Sequence, residues 1–161
     1  MSEVFILLGG NEGDKHKIFS ETIKLIGESI GKVVISSSFY ETEPWGFVSD
    51  LFWNQALIVE SLLSPDDVLK QALDIENRMG RKRISENYEA RPIDIDLMFY
   101  DDLQIDTPHL TIPHRLMAQR RFILVPMAEI APDKIHPVTG LTIKQMLKNC
   151  TDKLNVTRLD I

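Results

Sequence analysis

The chain has 161 residues, 43% of them hydrophobic and 26% charged, and carries a formal net charge of −6. That balance fits one globular domain over residues 1–161 with its own core, and a net negative chain argues against general nucleic-acid binding. A single cysteine, Cys150, excludes an internal disulfide; the N-terminus lacks a signal-peptide pattern and no apolar run reaches the ~18 residues of a membrane span, so a cytoplasmic protein is expected.

Val4 to Leu8 is a continuous apolar run that reads as a buried strand, and Gly9-Gly10-Asn11-Glu12-Gly13 reads as the turn leaving it. Asp14 is a candidate N-cap. Ile18, Thr22, Leu25, Ile26 and Ile30 then recur at helical spacing, and Gly31 stands where a C-cap glycine belongs. Lys32 to Phe39, rich in β-branched residues, predicts a second strand, and Thr42-Glu43-Pro44-Trp45-Gly46 a loop. Asn54 to Ser61 predicts the third strand. Ser64-Pro65-Asp66-Asp67 is a strong helix start, continued by Val68, Leu69, Ala72, Leu73 and Met79 and ended by Gly80. Arg81 to Ala90 reads as a polar loop, and Arg91 to Tyr100 as the fourth strand. Beyond residue 100 the pattern predicts loops, short helices near Leu116 and Phe122, and a helix around Ile143 to Lys148. The order is that of an α+β, ferredoxin-like βαββαβ antiparallel sheet, with helices on one face and additional C-terminal loops and short helices. Its other face would be open to a ligand.

The fourth strand is the most informative segment. Ile93, Ile95, Leu97 and Phe99 alternate with Asp94 and Asp96, so the two acids share a face about 7 Å apart. Such a pair is either a solvated strand face or an oxygen-rich anchor for Mg²⁺ held together with phosphates. Gly80-Arg81-Lys82-Arg83 and Arg91 flank it, and arginine forks match phosphate oxygens. Thr111-Ile112-Pro113-His114-Arg115 and Arg120-Arg121 supply further groups for a triphosphate clamp. Phe52, Trp53 and Phe122 are candidates to stack on a flat ring, and Asn54 has a two-sided amide able to read a ring edge. Neither a P-loop nor a G-x-G-x-x-G dinucleotide pattern is present. A metal-dependent phosphodiesterase or an RNA-binding module on the same sheet would be the alternatives, although two acids on strand four suit RNA poorly.

Taken in order, Leu8-Gly9-Gly10-Asn11, Thr42-x-Pro44-x-Gly46, Asn54, Glu76-x-x-x-Gly80-Arg81-x-Arg83, Arg91-Pro92-Ile93-Asp94-Ile95-Asp96, Pro113-His114 and Arg120-x-Phe122, with Glu129-Ile130-Ala131-Pro132 beyond, make the chain resemble the 6-hydroxymethyl-7,8-dihydropterin pyrophosphokinases of folate biosynthesis. The resemblance implies transfer of a pyrophosphoryl group from ATP to the hydroxymethyl group of a reduced pterin, with release of AMP. It implies Asp94 and Asp96 as ligands of two Mg²⁺ ions, and Arg83 and Arg91 beside them in catalysis. It places Glu76, Arg83, Tyr88, Arg91, Leu97, Thr111, His114, Arg115 and Arg120 around ATP. It places Thr42, Pro44, Trp45, Gly46, Phe52, Asn54, Asp94 and Phe122 around the pterin. ATP and the reduced pterin are then the partners of a monomer, with no nucleic acid and no membrane. The chain departs from the family's pattern at Gly10, at Asn87-Tyr88-Glu89-Ala90 and at His109. The first departure would loosen the turn after strand one, the second would alter closure of the Gly80–Ala90 loop, and the third would weaken one ATP contact.

Overall fold

The computed structural model describes residues 1–42, 51–80, 82–85, 88–90 and 92–161, at 82–85 and 88–90 by the backbone. In chain order its elements are β1 (Ser2–Gly10), α1 (Lys15–Ser29), β2 (Lys32–Ser36), β3 (Tyr40–Thr42), β4 (Phe52–Ser61), α2 (Pro65–Arg78), β5 (Lys82–Ser85), β6 (Tyr88–Ala90), β7 (Asp94–Tyr100), β8 (Ile105–Asp106), β9 (Thr111–Ile112), a 3-10 turn (Met117–Gln119), α3 (Arg121–Ile130), α4 (Ile143–Asn149) and β10 (Val156–Arg158). The main sheet is antiparallel with order β10-β3-β4-β1-β7, and β2 also pairs with β4.

Two uninterrupted apolar runs, Val4 to Leu8 and Ala56 to Val59, dictate the layering, because a strand with no polar face must be covered on both sides. Val4, Ile6, Leu8, Leu57, Val59, Ile95 and Leu97 pack against Phe19 and Ile26 of α1 and against Val68, Ala72 and Ile75 of α2. Phe5, Leu7, Ala56, Ile58 and Phe99 point the other way, onto Ile123, Leu124 and Met127 of α3 and Ile143 and Met146 of α4. Helices therefore lie on both faces, not on one.

The helix starts are those the sequence predicts. The Asp14 side chain accepts from the Lys17 amide at 3.2 Å and Ser64 from the Asp67 amide at 3.2 Å, each satisfying an N–H that the helix leaves unpaired. Other boundaries differ. β1 runs through Gly9 and Gly10 instead of turning there. α1 ends at the C-cap Ile30, and Gly31 follows directly, where an added Cβ would overlap the Glu60 carbonyl oxygen. The second strand, expected to reach Phe39, ends at Ser36, where Ser37 leaves the regular ladder: its hydroxyl accepts from the Ala56 amide at 2.9 Å, and the Ser38 amide is taken by Glu129; β3 follows as a separate strand that was not expected. Residues expected as a loop before the acidic strand pair as β5 and β6. Within β7 the register passes from Phe5↔Phe99 to Ile6↔Leu97, leaving Met98 as a bulge. Phe99 consequently faces α3 and α4, opposite to Ile93, Ile95 and Leu97 with which strict alternation had grouped it.

Candidate active site

Antiparallel register builds the floor of the site. Asn54 on β4 stands opposite Gly9 on β1, and Gly9 stands opposite Asp94 on β7. Directly opposite residues share a sheet face, so Asn54, Gly9 and Asp94 form a row across three adjacent strands. Asp96, two residues on, shares that face and is exposed, while Asn54 is buried. The Asn54 amide lies across Gly9: it donates to the Leu8 carbonyl at 3.2 Å, and a Cβ at Gly9 would come within 2.9 Å of Nδ2. The glycine keeps the floor flat where any side chain would push the amide aside. Thr42 stands opposite Phe52, and Tyr40 opposite Asn54.

Beside this row opens a cleft of about 500 Å³ bounded by Asp96 and Leu97 of β7, by Thr111, His114 and Arg115, and by Leu69, Asp106, Thr107, His109 and Leu110. Asp96, opposite Leu7 and on the same face as the row, also bounds the cleft. The β8–β9 hairpin that forms one wall was not expected, although Asp106-Thr107-Pro108 is a turn signal; the Thr107 hydroxyl accepts from the Leu110 amide at 3.0 Å and holds the hairpin shut. His114 is fixed by its own backbone, whose N–H donates to the Met98 carbonyl at 3.0 Å. Its Nδ1 accepts from the Leu116 amide at 3.2 Å, which leaves Nε2 to carry the proton of the neutral ring. Burial, and then the charge of Arg115, lower the His114 pKa and keep the ring neutral near pH 7.

Glu76, expected around ATP, is buried on α2 and does not line the cleft. One of its oxygens accepts from the Ile95 amide at 2.7 Å. Ile95 lies between the two acids, so Glu76 fixes the edge of the strand that carries them. Phe122 opens α3, and the Arg120 guanidinium lies 4.9 Å from its ring centroid. Arg120 also pairs with Asp152 at 3.5 Å and is not among the residues of the cleft. At the far end of α3, Glu129 accepts from the Tyr40 hydroxyl at 2.6 Å and from the Ser38 amide at 3.0 Å. Burial, then the hydrogen bond and charge of Glu129, raise the Tyr40 pKa to about 12. Trp53 does not join Phe52 and Phe122. It faces α1, 5.1 Å from the Phe39 centroid, with its Nε1 donating to Glu41 at 3.0 Å. Pro44, Trp45, Gly46 and Arg91, and the side chains of Arg83 and Tyr88, lie outside the described residues.

No group of three or more His, Cys, Asp or Glu side chains able to hold a metal ion occurs among the described residues. Two carboxylates on one face nevertheless suit Mg²⁺, which keeps several waters and takes its remaining oxygens from phosphates.

Residues 5–132 match the family model described as 7,8-dihydro-6-hydroxymethylpterin-pyrophosphokinase. A Porphyromonas gingivalis protein named 2-amino-4-hydroxy-6-hydroxymethyldihydropteridine pyrophosphokinase is 38% identical over 141 residues, covering 85% of this chain and 95% of the relative. A Methylorubrum extorquens protein of the same name is 36% identical over 149 residues, covering 91% and 92%. Among solved structures, an HPPK-DHPS in complex with substrates superposes with a TM-score of 0.79 at 16% identity, over 99% of this chain and 47% of that one. The Plasmodium falciparum wild-type HPPK-DHPS with pteroate gives 0.75 at 16% identity, over 92% and 44%. At such identities the likeness is one of fold, and this chain spans less than half the length of those two.

Proposed function

The chain belongs to the 7,8-dihydro-6-hydroxymethylpterin-pyrophosphokinase family, and on that premise we propose how its residues divide the work. It transfers the pyrophosphoryl group of ATP to the hydroxymethyl group of 6-hydroxymethyl-7,8-dihydropterin, giving the pterin diphosphate and AMP in folate biosynthesis. The observation that carries the residue assignment is the Asn54–Gly9–Asp94 row with Asp96 beside it. A flat heterocycle lying over Gly9 would meet the Asn54 amide at one edge and bring its hydroxymethyl arm to the acids. Phe52 and Phe122 are the walls we assign to that ring, and Thr42 with the segment through Pro44, Trp45 and Gly46 its outer rim.

ATP would occupy the cleft, which is bounded by Asp96 on the same sheet face as this row. Leu69, Leu97 and Leu110 offer apolar surface to the base, and Thr111, His114 and Arg115 offer donors to the ribose and phosphates. The neutral His114 donates through Nε2 without adding a charge. Arg83 and Arg91 are assigned to the β- and γ-phosphoryl groups, where their forks would meet charge that develops during transfer. Asp94 and Asp96 would hold two Mg²⁺ ions, whose chemistry when bound is to neutralise the triphosphate. The pterin hydroxyl oxygen forms a bond to the β-phosphorus as the bond from that phosphorus to the α-bridging oxygen breaks. The electron pair leaves with AMP, and the hydroxyl proton passes to Asp96. Catalysis is then mainly positioning and charge neutralisation. Glu76 acts at one remove, by holding the strand between the acids.

We further read β1, α1, β2 with β3, β4, α2 and β7 as a ferredoxin-like core, on the antiparallel order β3-β4-β1-β7. We also propose one domain acting as a cytoplasmic monomer on its two small-molecule substrates; no helix among the described residues is long and apolar enough to cross a membrane. The test is to incubate the protein with ATP, Mg²⁺ and the reduced pterin alcohol, omitting each in turn. AMP and the pterin diphosphate should appear only in the complete mixture. AMP released without the pterin would favour a hydrolase and refute the assignment.

A further inference from the structure

We propose that the segment from Asp152 to Leu159, beyond the residues 5–132 matched by the family, is a positioning element of the ring-binding half of the site. The observations lie in one continuous path. Asp152 takes the first amide of α3: its Oδ2 accepts from the Arg121 N–H at 3.1 Å, while its Oδ1 accepts from the Leu154 N–H at 3.1 Å. The same carboxylate pairs with Arg120 Nε at 3.5 Å, and that guanidinium lies 4.9 Å from the Phe122 centroid. Arg121 returns the contact by donating from Nε to the Leu154 carbonyl at 3.1 Å. The chain then becomes β10, pairing Val156 with Thr42 and Arg158 with Tyr40, and the Leu159 amide donates to the Phe39 carbonyl at 2.8 Å.

One segment thus joins the start of α3, where Phe122 stands, to β3, whose Thr42 is opposite Phe52 and whose Tyr40 is opposite Asn54. Glu129 ties the other end of α3 to the same strand through Tyr40 and Ser38. Two attachments at opposite ends of a helix fix both its distance and its tilt, so the gap between the Phe122 ring and the Phe52–Asn54 strand is set. An aromatic ring has two faces. The cation–π contact covers one with Arg120 and, together with packing of the half-buried ring on the α3–α4 cluster, fixes the ring plane that we assign to the substrate. Burial pushes the Asp152 carboxyl upward, but the hydrogen bonds from Arg121 and Leu154 and the charge of Arg120 outweigh it. The carboxylate stays charged at neutral pH and holds the guanidinium over the ring.

This inference rests on the pterin assignment above, and its experiment separates the two. Calorimetry of wild type, Asp152→Asn and Asp152→Ala would be run with the reduced pterin alcohol, in the presence of Mg²⁺ and a nonhydrolysable ATP mimic, and with the mimic alone. Asp152→Asn keeps an acceptor for the α3 amide but loses the charge that holds Arg120. Its pterin affinity should fall roughly fivefold to tenfold, as expected for release of one cation–π contact and its ring, with affinity for the ATP mimic within about twofold and melting close to wild type. Asp152→Ala should lose at least as much, and the Phe122 ring resonances should move in both variants without ligand. Equal losses of both ligands, unchanged pterin affinity in both variants, or unmoved Phe122 resonances would overturn the proposal while leaving the pterin site standing. Failure of wild type to bind the pterin would overturn both.

Discussion

Two neighbouring glycines should separate function from stability. At Gly9 an added Cβ would come within 2.9 Å of Asn54 Nδ2, the end of a side chain that can rotate away. Gly9→Ala should therefore change stability by no more than about 1 kcal/mol, since the Asn54–Leu8 hydrogen bond that it breaks is worth about 0.5–1.5 kcal/mol and alanine recovers roughly 0.5–1 kcal/mol of backbone entropy that glycine gives up in a strand. Melting would move by at most about 4 °C for a domain of this size. The displaced amide would no longer meet the pterin edge, and an unmade hydrogen bond at a buried edge costs about 1–3 kcal/mol. That corresponds to roughly a 5- to 140-fold loss of pterin affinity. At Gly10 the added Cβ would overlap the Pro92 carbonyl oxygen, a backbone atom two residues before Asp94. Relief there needs a strand to move, and overpacking of this kind costs about 1–3 kcal/mol, so Gly10→Ala should lower Tm by roughly 2–12 °C. Thermal denaturation and pterin calorimetry on both variants decide the matter. Wild-type pterin affinity in Gly9→Ala, or wild-type melting in Gly10→Ala, would refute the reasoning.

Asp94→Asn and Asp96→Asn should each lower turnover by at least about a hundredfold, with circular dichroism unchanged; activity within tenfold of wild type in either would remove the proposed metal role. Phe122→Ala should weaken pterin binding far more than ATP binding, and equal losses by calorimetry would contradict the stacking assignment. For His114 and His136, burial lowers the folded pKa below the ordinary 6.5, with Arg115 adding to the effect at His114. Between those folded values and about 6.5 the unfolded chain binds protons that the folded one does not. The stability from their neutral rings is thus complete above about pH 6.5 and is lost as pH falls through the folded values. Melting followed from about pH 7.5 to about pH 5.5 should decline, and replacement of His136 by leucine should shallow the slope; a flat profile in the wild type would be inconsistent with two rings held neutral, one buried and one half-buried.

Local physics made much of this protein legible in one dimension. Asp14 and Ser64 cap helices because their side chains answer amides three residues on, a matter of short-range spacing. Asp94 and Asp96 share a face because a strand repeats every two residues, and nothing distant can alter that parity between adjacent bulges. The decisions left to the tertiary structure all involve groups far apart in sequence. The order of elements predicts helices on one face only; that the second face of β1 and β4 is covered as well was decided by how α3 and α4 fold back over it. Only strand pairing could put Asn54, Gly9 and Asp94 in one row, show that Gly10 continues a strand, and insert Met98 as a bulge that turns Phe99 over. Asp152 reaches Arg120 and Arg121 only after the chain has rounded α4. Such contacts arise from the registry of packed layers, which no spacing along the chain encodes by itself.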